Sequence, residues 1–173
     1  MGTDKALLDV DGVPLGRRAI DALREAGVSE VVAVGGTDAH AVVLGVEVVP
    51  DAVAGEGPVG GVITALRWAD GEPVVVLPCD LPAVTAAALA PLVGSPLQPD
   101  TVRVAARDGR MAFPIGVWPP DCLDVLETAF VAGIRSFRGA LAGALLELVE
   151  VGPELDDADD PGSLARLRYP AGP

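Results

Sequence analysis

The chain has 173 residues, half of them hydrophobic, the size of one domain able to build its own core. Twelve basic against twenty-five acidic side chains give a net charge of −13, which excludes the basic stripe of a nucleic-acid-binding surface. No apolar run approaches the roughly 20 residues that cross a bilayer, and Met1-Gly2-Thr3-Asp4-Lys5 lacks the basic-then-apolar pattern of an export signal, so a soluble cytoplasmic protein with no membrane partner is expected.

Helical and strand patterns alternate along the chain. After an Asp11-Gly12 turn, residues 14–26 place Leu15, Ala19, Ala22, Leu23 and Ala26 on one helical stripe, stopped by Gly27. Residues 31–34 and 46–49 read as short strands. Pro58 opens a helix in which Val59, Val62, Ile63 and Leu66 fall at i, i+3, i+4 and i+7. Val74-Val75-Val76-Leu77 is a buried strand, whereas Pro91 disturbs any helix over residues 85–93. Residues 94–101 form a turn-rich connection, and 102–106 a further strand. Leu123, Leu126 and Phe130 line a helix closed by Gly133, followed by a helical segment over 136–146 and a strand over 148–151. Asp160-Pro161 begins a last helix reaching about Leu167. Continuous apolar runs, rather than alternation, indicate strands covered on both faces. The expected fold is therefore a three-layer α/β sandwich with a Rossmann-like, mostly parallel sheet, one domain over residues 1–168 and a tail over 169–173.

Open α/β sheets bind ligands beyond the carboxyl ends of their strands, so residues that directly follow strands carry the chemistry. Asp80, in Pro78-Cys79-Asp80-Leu81-Pro82, follows the strand at 74–77 and is placed either to hold Mg²⁺, which binds through one or two carboxylates plus substrate phosphates, or simply to cap a turn. Asp51 with Gly55-Glu56-Gly57-Pro58-Val59-Gly60-Gly61 is a glycine-rich entry to a helix, suited to anions and equally common as plain structure. Lys5 is the only lysine among twelve basic residues, which suggests that its compact ammonium matters, since Lys and Arg are not interchangeable at phosphates. The alternative is an exposed Asp4-Lys5 pair. In Asp156-Asp157-Ala158-Asp159-Asp160, Asp159 or Asp157 is a candidate second metal ligand or a solvated acid. His40 follows a turn-like Gly35-Gly36-Thr37-Asp38 and reads as a surface loop residue. Cys79 and Cys122 match no metal spacing and indicate a reduced compartment.

Taken in order, these pieces resemble one family. Gly2-Thr3-Asp4-Lys5-Ala6-Leu7-Leu8, Asp51 with the loop through Gly61, Pro78-Cys79-Asp80-Leu81-Pro82, the segment from Asp108-Gly109-Arg110 to Pro114, Gly133-Ile134-Arg135-Ser136-Phe137-Arg138 and Asp157-Ala158-Asp159-Asp160-Pro161 are similar to successive motifs of the molybdenum cofactor guanylyltransferases, nucleoside-triphosphate transferases of nucleotide-diphosphosugar-transferase fold. The resemblance implies transfer of GMP from GTP to molybdopterin with release of pyrophosphate. It assigns Mg²⁺ to Asp80, with Asp159 as a second ligand, and charge neutralisation to Lys5. Nucleotide contacts then fall to Lys5, Asp51, Gly57, Pro58, Gly61 and Asp80, and acceptor contacts to Arg110 and Arg135. It also implies contact with molybdenum-insertion proteins.

Three departures accompany it. Family members place Leu-Ala-Gly-Gly-x-Ser-x-Arg immediately before the Met-Gly with which this chain begins, so the expectation is a start assigned too far downstream and a sheet lacking its first central strand and phosphate loop. Upstream in-frame codons for that loop support this expectation, and a stop codon there sinks it. Val34 stands where some members carry Asn. Asp replaces Asn in the late motif, which also suits cytidylyl and sugar-phosphate relatives. A cytidylyltransferase and a non-catalytic nucleotide-binding module therefore stand as alternatives.

Overall fold

The computed structural model describes residues 4–52 and 57–157. A 3₁₀ turn, Lys5–Leu7, leads into a hairpin of β1 (Asp9–Val10) and β2 (Val13–Pro14). Next come α1 (Leu15–Glu25), β3 (Ala33–Val34), α2 (Asp38–Leu44), β4 (Val48–Val49), α3 (Pro58–Trp68), β5 (Val74–Val76) and α4 (Ala86–Val93). The second half runs β6 (Thr101–Arg107), β7 (Arg110–Trp118), α5 (Cys122–Val131), α6 (Phe137–Ala140) and β8 (Leu145–Glu150).

Four strands form one sheet in the order β5-β7-β6-β8. β7 is antiparallel to both neighbours and β8 is parallel to β6, so β5, β6 and β8 share one direction. β3 and β4 form a separate parallel pair. Among the described residues no strand pairs with the remaining edge of β5 or of β3.

Two cores flank the sheet. On one face Val102, Val104 and Trp118 pack with Val59, Val62, Ile63 and Leu66 of α3, Leu126 of α5 and Phe137 of α6. On the other, Ala105, Ile115 and Val117 pack with Ala22 and Leu23 of α1 and Leu89 and Leu92 of α4. Alternate strand residues thus serve opposite cores, and the three expected layers are present. Trp118 is fully buried and its ring meets those of Phe113 and Phe137 at 6.2 and 5.2 Å between centroids. Its indole N–H is satisfied by the Pro114 carbonyl at 3.1 Å, as a buried Trp requires. Among the described residues no helix is long and apolar enough to cross a membrane.

Four local departures from the sequence reading have physical causes. Residues 136–146 are not one helix: α6 lasts four residues, Gly143 adopts φ 91°, and Leu145 already pairs with Thr101. α4 does run through Pro91, which sits in its last turn, and Gly94 N–H closes the end on Ala90 O at 2.8 Å. β7 went unread because it contains Pro114 and Gly116; a Cβ at Gly116 would lie 2.3 Å from the Arg103 carbonyl. The signal for it was Asp108-Gly109, with φ 50° and 72°, the two left-handed positions of a tight hairpin turn. α2 was also unread, although Thr37 and the left-handed Gly45 bracket it. The expected last helix and Asp159 lie outside the described residues.

Candidate nucleotide site

β5 is gripped from both sides, with Val74 and Val76 against one core and Val75 and Leu77 against the other. The chain leaves the sheet through Pro78 and Cys79, and Leu81, with no exposed surface, pins it again. Asp80 is therefore held between two fixed points at the carboxyl end of β5. Its side chain is 16 % exposed, and its Oδ2 accepts from Lys5 Nζ at 2.8 Å. Its Oδ1 has no hydrogen bond among the described residues.

Lys5 is presented by the 3₁₀ turn Lys5–Leu7. Asp4 caps that turn, its Oδ1 accepting from Ala6 N–H at 3.2 Å. The turn lies on α1 at Gly16, where a Cβ would come within 3.1 Å of the Ala6 carbonyl. Any larger residue at 16 would push the lysine's platform away from the helix. Asp4 also receives His40, whose Nε2 meets Asp4 Oδ2. His40 is thus no loop residue: its side chain is 14 % exposed and sits on α2, just beyond β3.

A second cluster follows β4. Thr64, buried in α3, directs its hydroxyl to Gly60 O at 2.9 Å and lies 3.2 Å from Asp51 Oδ1, while accepting from Ala52 N–H at 3.1 Å. Thr64 therefore locks Asp51 to the first turn of α3. Sequence reading missed it because a threonine inside an apolar stripe looks like an ordinary helix residue. Gly57 caps α3 with φ 80° and ψ −173°, and Pro58 occupies the first turn, where its missing N–H costs nothing. At both Gly57 and Gly61 an added Cβ would meet no atom within 4 Å. Among the described residues, none packs against the backbone at these two positions.

These groups lie on one side of the molecule. Asp51 follows the carboxyl end of β4, the segment 35–40 that of the parallel β3, and Asp80 that of β5; the Lys5–Asp80 and Asp4–His40 contacts draw the ends of β3 and β5 together. The carboxyl end of β6 reaches the same side, and there the β6–β7 turn borders a concavity of about 500 Å³ lined by Arg107, Asp108, Arg110, Met111 and Ala112. Arg107 bonds Val151 O at 3.4 Å and approaches Asp156 at 3.7 Å; Arg110 is exposed. Arg135 stands over the Phe130 ring at 3.7 Å and donates to the Phe130 carbonyl at 2.6 Å. Among the described residues no three His, Cys, Asp or Glu side chains converge on a metal position. Burial, and then the charge of Asp80, raise the Cys79 thiol above its ordinary value.

A family model described as the MobA-like NTP transferase domain matches residues 1–147. The chain belongs to this family. It is a nucleotidyltransferase, and nearly its whole length is shared with enzymes of that kind. It is 32 % identical over 165 residues to a molybdenum cofactor guanylyltransferase of Pseudomonas entomophila, covering 92 % of this chain and 86 % of that protein. It is 33 % identical over 171 residues to one from Pseudomonas putida GB-1, covering 98 % and 86 %. Among solved structures, a molybdopterin-guanine dinucleotide biosynthesis protein A from Archaeoglobus fulgidus superimposes with a TM-score of 0.75 at 22 % identity, covering 95 % of this chain and 89 % of that one. A nucleotidyl transferase from Methanothermobacter does so at 0.76 and 23 %, covering 95 % and 83 %. These likenesses establish the nucleotide-diphosphosugar-transferase fold.

Proposed function

We propose that this nucleotidyltransferase moves GMP from GTP to the terminal phosphate of molybdopterin. An oxygen of the acceptor phosphate attacks the α-phosphorus of GTP, the bond from that phosphorus to the β-bridging oxygen breaks, and pyrophosphate leaves. The attacking oxygen is already anionic, so no general base is needed; positioning and charge neutralisation suffice.

The observation that carries this reading is the Lys5–Asp80 pair, 2.8 Å apart at the carboxyl end of β5. Lys5 turns from Asp80 to the phosphates as the nucleotide enters, and neutralises charge that grows toward the transition state. Asp80, whose Oδ2 alone is bonded among the described residues, fits a hard cation that takes one protein carboxylate and fills its shell with phosphate oxygens and water. Mg²⁺ bound there supplies Lewis-acid polarisation of the phosphates. Asp51, fixed by Thr64, contacts the nucleotide. Gly57, Pro58 and Gly61 let the backbone of α3 approach it, since no described residue stands within 4 Å of a Cβ at Gly57 or Gly61. Arg110 opens β7, the strand next to β5, six residues before Gly116, the partner of Val76, and takes the phosphate end of the acceptor beside the concavity at the hairpin. GTP is favoured over CTP because the relatives that cover most of this chain are guanylyltransferases.

Pyrophosphate release tests this on the full natural chain, with Mg²⁺, molybdopterin and either GTP or CTP. GTP is expected to support turnover, and Asp80→Ala to lower it by about 10²-fold or more. Preference for CTP would overturn the base assignment. Turnover unchanged by Asp80→Ala would overturn the site.

A further inference from the structure

We propose that His40 is a positioning residue for the nucleotide site: by holding Asp4 it fixes the turn that aims Lys5 at Asp80. The role given to Lys5 and Asp80 rests on the reading above; the positioning itself rests on contacts alone. His40 is the third residue of α2, and its Nδ1 accepts from Thr37 N–H at 3.0 Å. A ring nitrogen that accepts carries no hydrogen, so the neutral ring bears its hydrogen on Nε2. Nε2 donates to Asp4 Oδ2. The other oxygen of Asp4 accepts from Ala6 N–H inside the turn. Asp4 is thus clamped through both oxygens, once within its own turn and once from a helix that begins after β3. The next residue along is Lys5.

The ring's position is built into the backbone around it. Gly36 has φ 108°, and a Cβ there would stand 3.1 Å from His40 Cγ and 3.2 Å from Nδ1. Only glycine leaves the imidazole room to lie against this loop while reaching Asp4. The result is a relay, Thr37–His40–Asp4, that ends one peptide bond from Lys5, whose ammonium rests on Asp80. It ties the loop beyond β3 to the loop beyond β5, two strands that share no hydrogen bond among the described residues. A carboxylate held by two donors loses rotational freedom, and the backbone it anchors fixes the point from which the Lys5 side chain extends to Asp80.

Two substitutions separate the two jobs of the ring. His40→Asn keeps an acceptor near Nδ1 for Thr37 but falls short of Asp4. His40→Gln carries an N–H to about the position of Nε2 but gives up the acceptor. Lys5 is the only lysine, so an amine-reactive ester followed by mass spectrometry reports its freedom without any nucleotide, fragment ions distinguishing it from the terminal amine. His40→Asn is expected to raise the labelling rate of Lys5 about tenfold, the equilibrium equivalent of one charge-assisted hydrogen bond, and to raise KM for GTP more than it lowers kcat. His40→Gln should stay within about twofold of the wild type on this basis. Asp4→Asn, which keeps an acceptor for Ala6 N–H but not both clamps, should behave like His40→Asn. Equal labelling in His40→Asn and wild type, or a larger effect of Gln than of Asn, would overturn the proposal, the latter showing that only the cap of α2 matters. Raised labelling in a protein that ignores GTP would leave the positioning intact and remove the nucleotide reading instead.

Discussion

A partly exposed ion pair contributes little to stability, because solvent screens it and two side chains must be held still. Lys5 and Asp80, 37 % and 16 % exposed, are such a pair, so their juxtaposition is better suited to a ligand than to the fold. Cys79, adjacent in sequence to Asp80, reports on that carboxylate. Burial and the negative charge of Asp80 hold its thiol above the usual range, and alkylation needs the thiolate. Removing the charge in Asp80→Asn lowers the thiol's pKa, so the alkylation rate at pH 8 should rise, by about threefold for a screened unit charge nearby. Mg²⁺ added to the wild type should speed alkylation in the same direction and should do nothing in Asp80→Asn. Cys122 will stay silent throughout, buried and pushed up to about 11. An alkylation rate indifferent both to Asp80→Asn and to Mg²⁺ would remove the carboxylate from the metal assignment.

At the scale of elements, α3 spends stability at Gly61. Its φ is not left-handed and, among the described residues, no neighbouring atom outside its own helix backbone lies within 4 Å of a would-be Cβ, so neither turn geometry nor packing against those residues explains a glycine there. Gly61→Ala should therefore stabilise the protein by about 0.5–1 kcal/mol, the helix-propensity difference, while weakening GTP binding because a methyl group intrudes on the approach of the nucleotide. Thermal melting and titration of the same variant check both halves. Tighter or unchanged GTP binding would free α3 from the nucleotide site. Long periodic elements were legible in the sequence: α1 and α3 through their apolar stripes, β5 through its run of valines with Pro78-Cys79-Asp80 behind it. α2 was not, because only Leu44 of its seven residues is buried and Val42 and Val43 face outward, leaving no stripe to read. Of the site, Asp80, Asp51 and Lys5 were legible as strand-end or compositionally odd residues. Their partners were not: Lys5 meets Asp80 across 75 positions and His40 meets Asp4 across 36, and no local spacing encodes contacts that only the closed fold creates.

The whole molecule divides the proposed site between two sheet pieces of unequal strength. β6 and β7, seven and nine residues long, are paired over much of their length and covered by both cores. β3 and β4 offer two residues each, and short ladders with few bonds open at lower free energy than central strands. α3, which packs on both β3 and β5, and the His40–Asp4–Lys5–Asp80 contacts join the halves. Amide exchange should therefore release Gly35 and Val49 well before Val104 and Val117, in a separate step. A nucleotide that touches Asp51 after β4 and Asp80 after β5 must bind the joined form better than the opened one. Saturation with Mg·GTP should then slow exchange at Gly35 and Val49, by up to about 100-fold when the ligand stands at 100 times its Kd, and leave the central strands nearly unchanged. Protection confined to the loop around Asp80 would mean that β4 contributes nothing to the nucleotide, and Asp51 would leave the site.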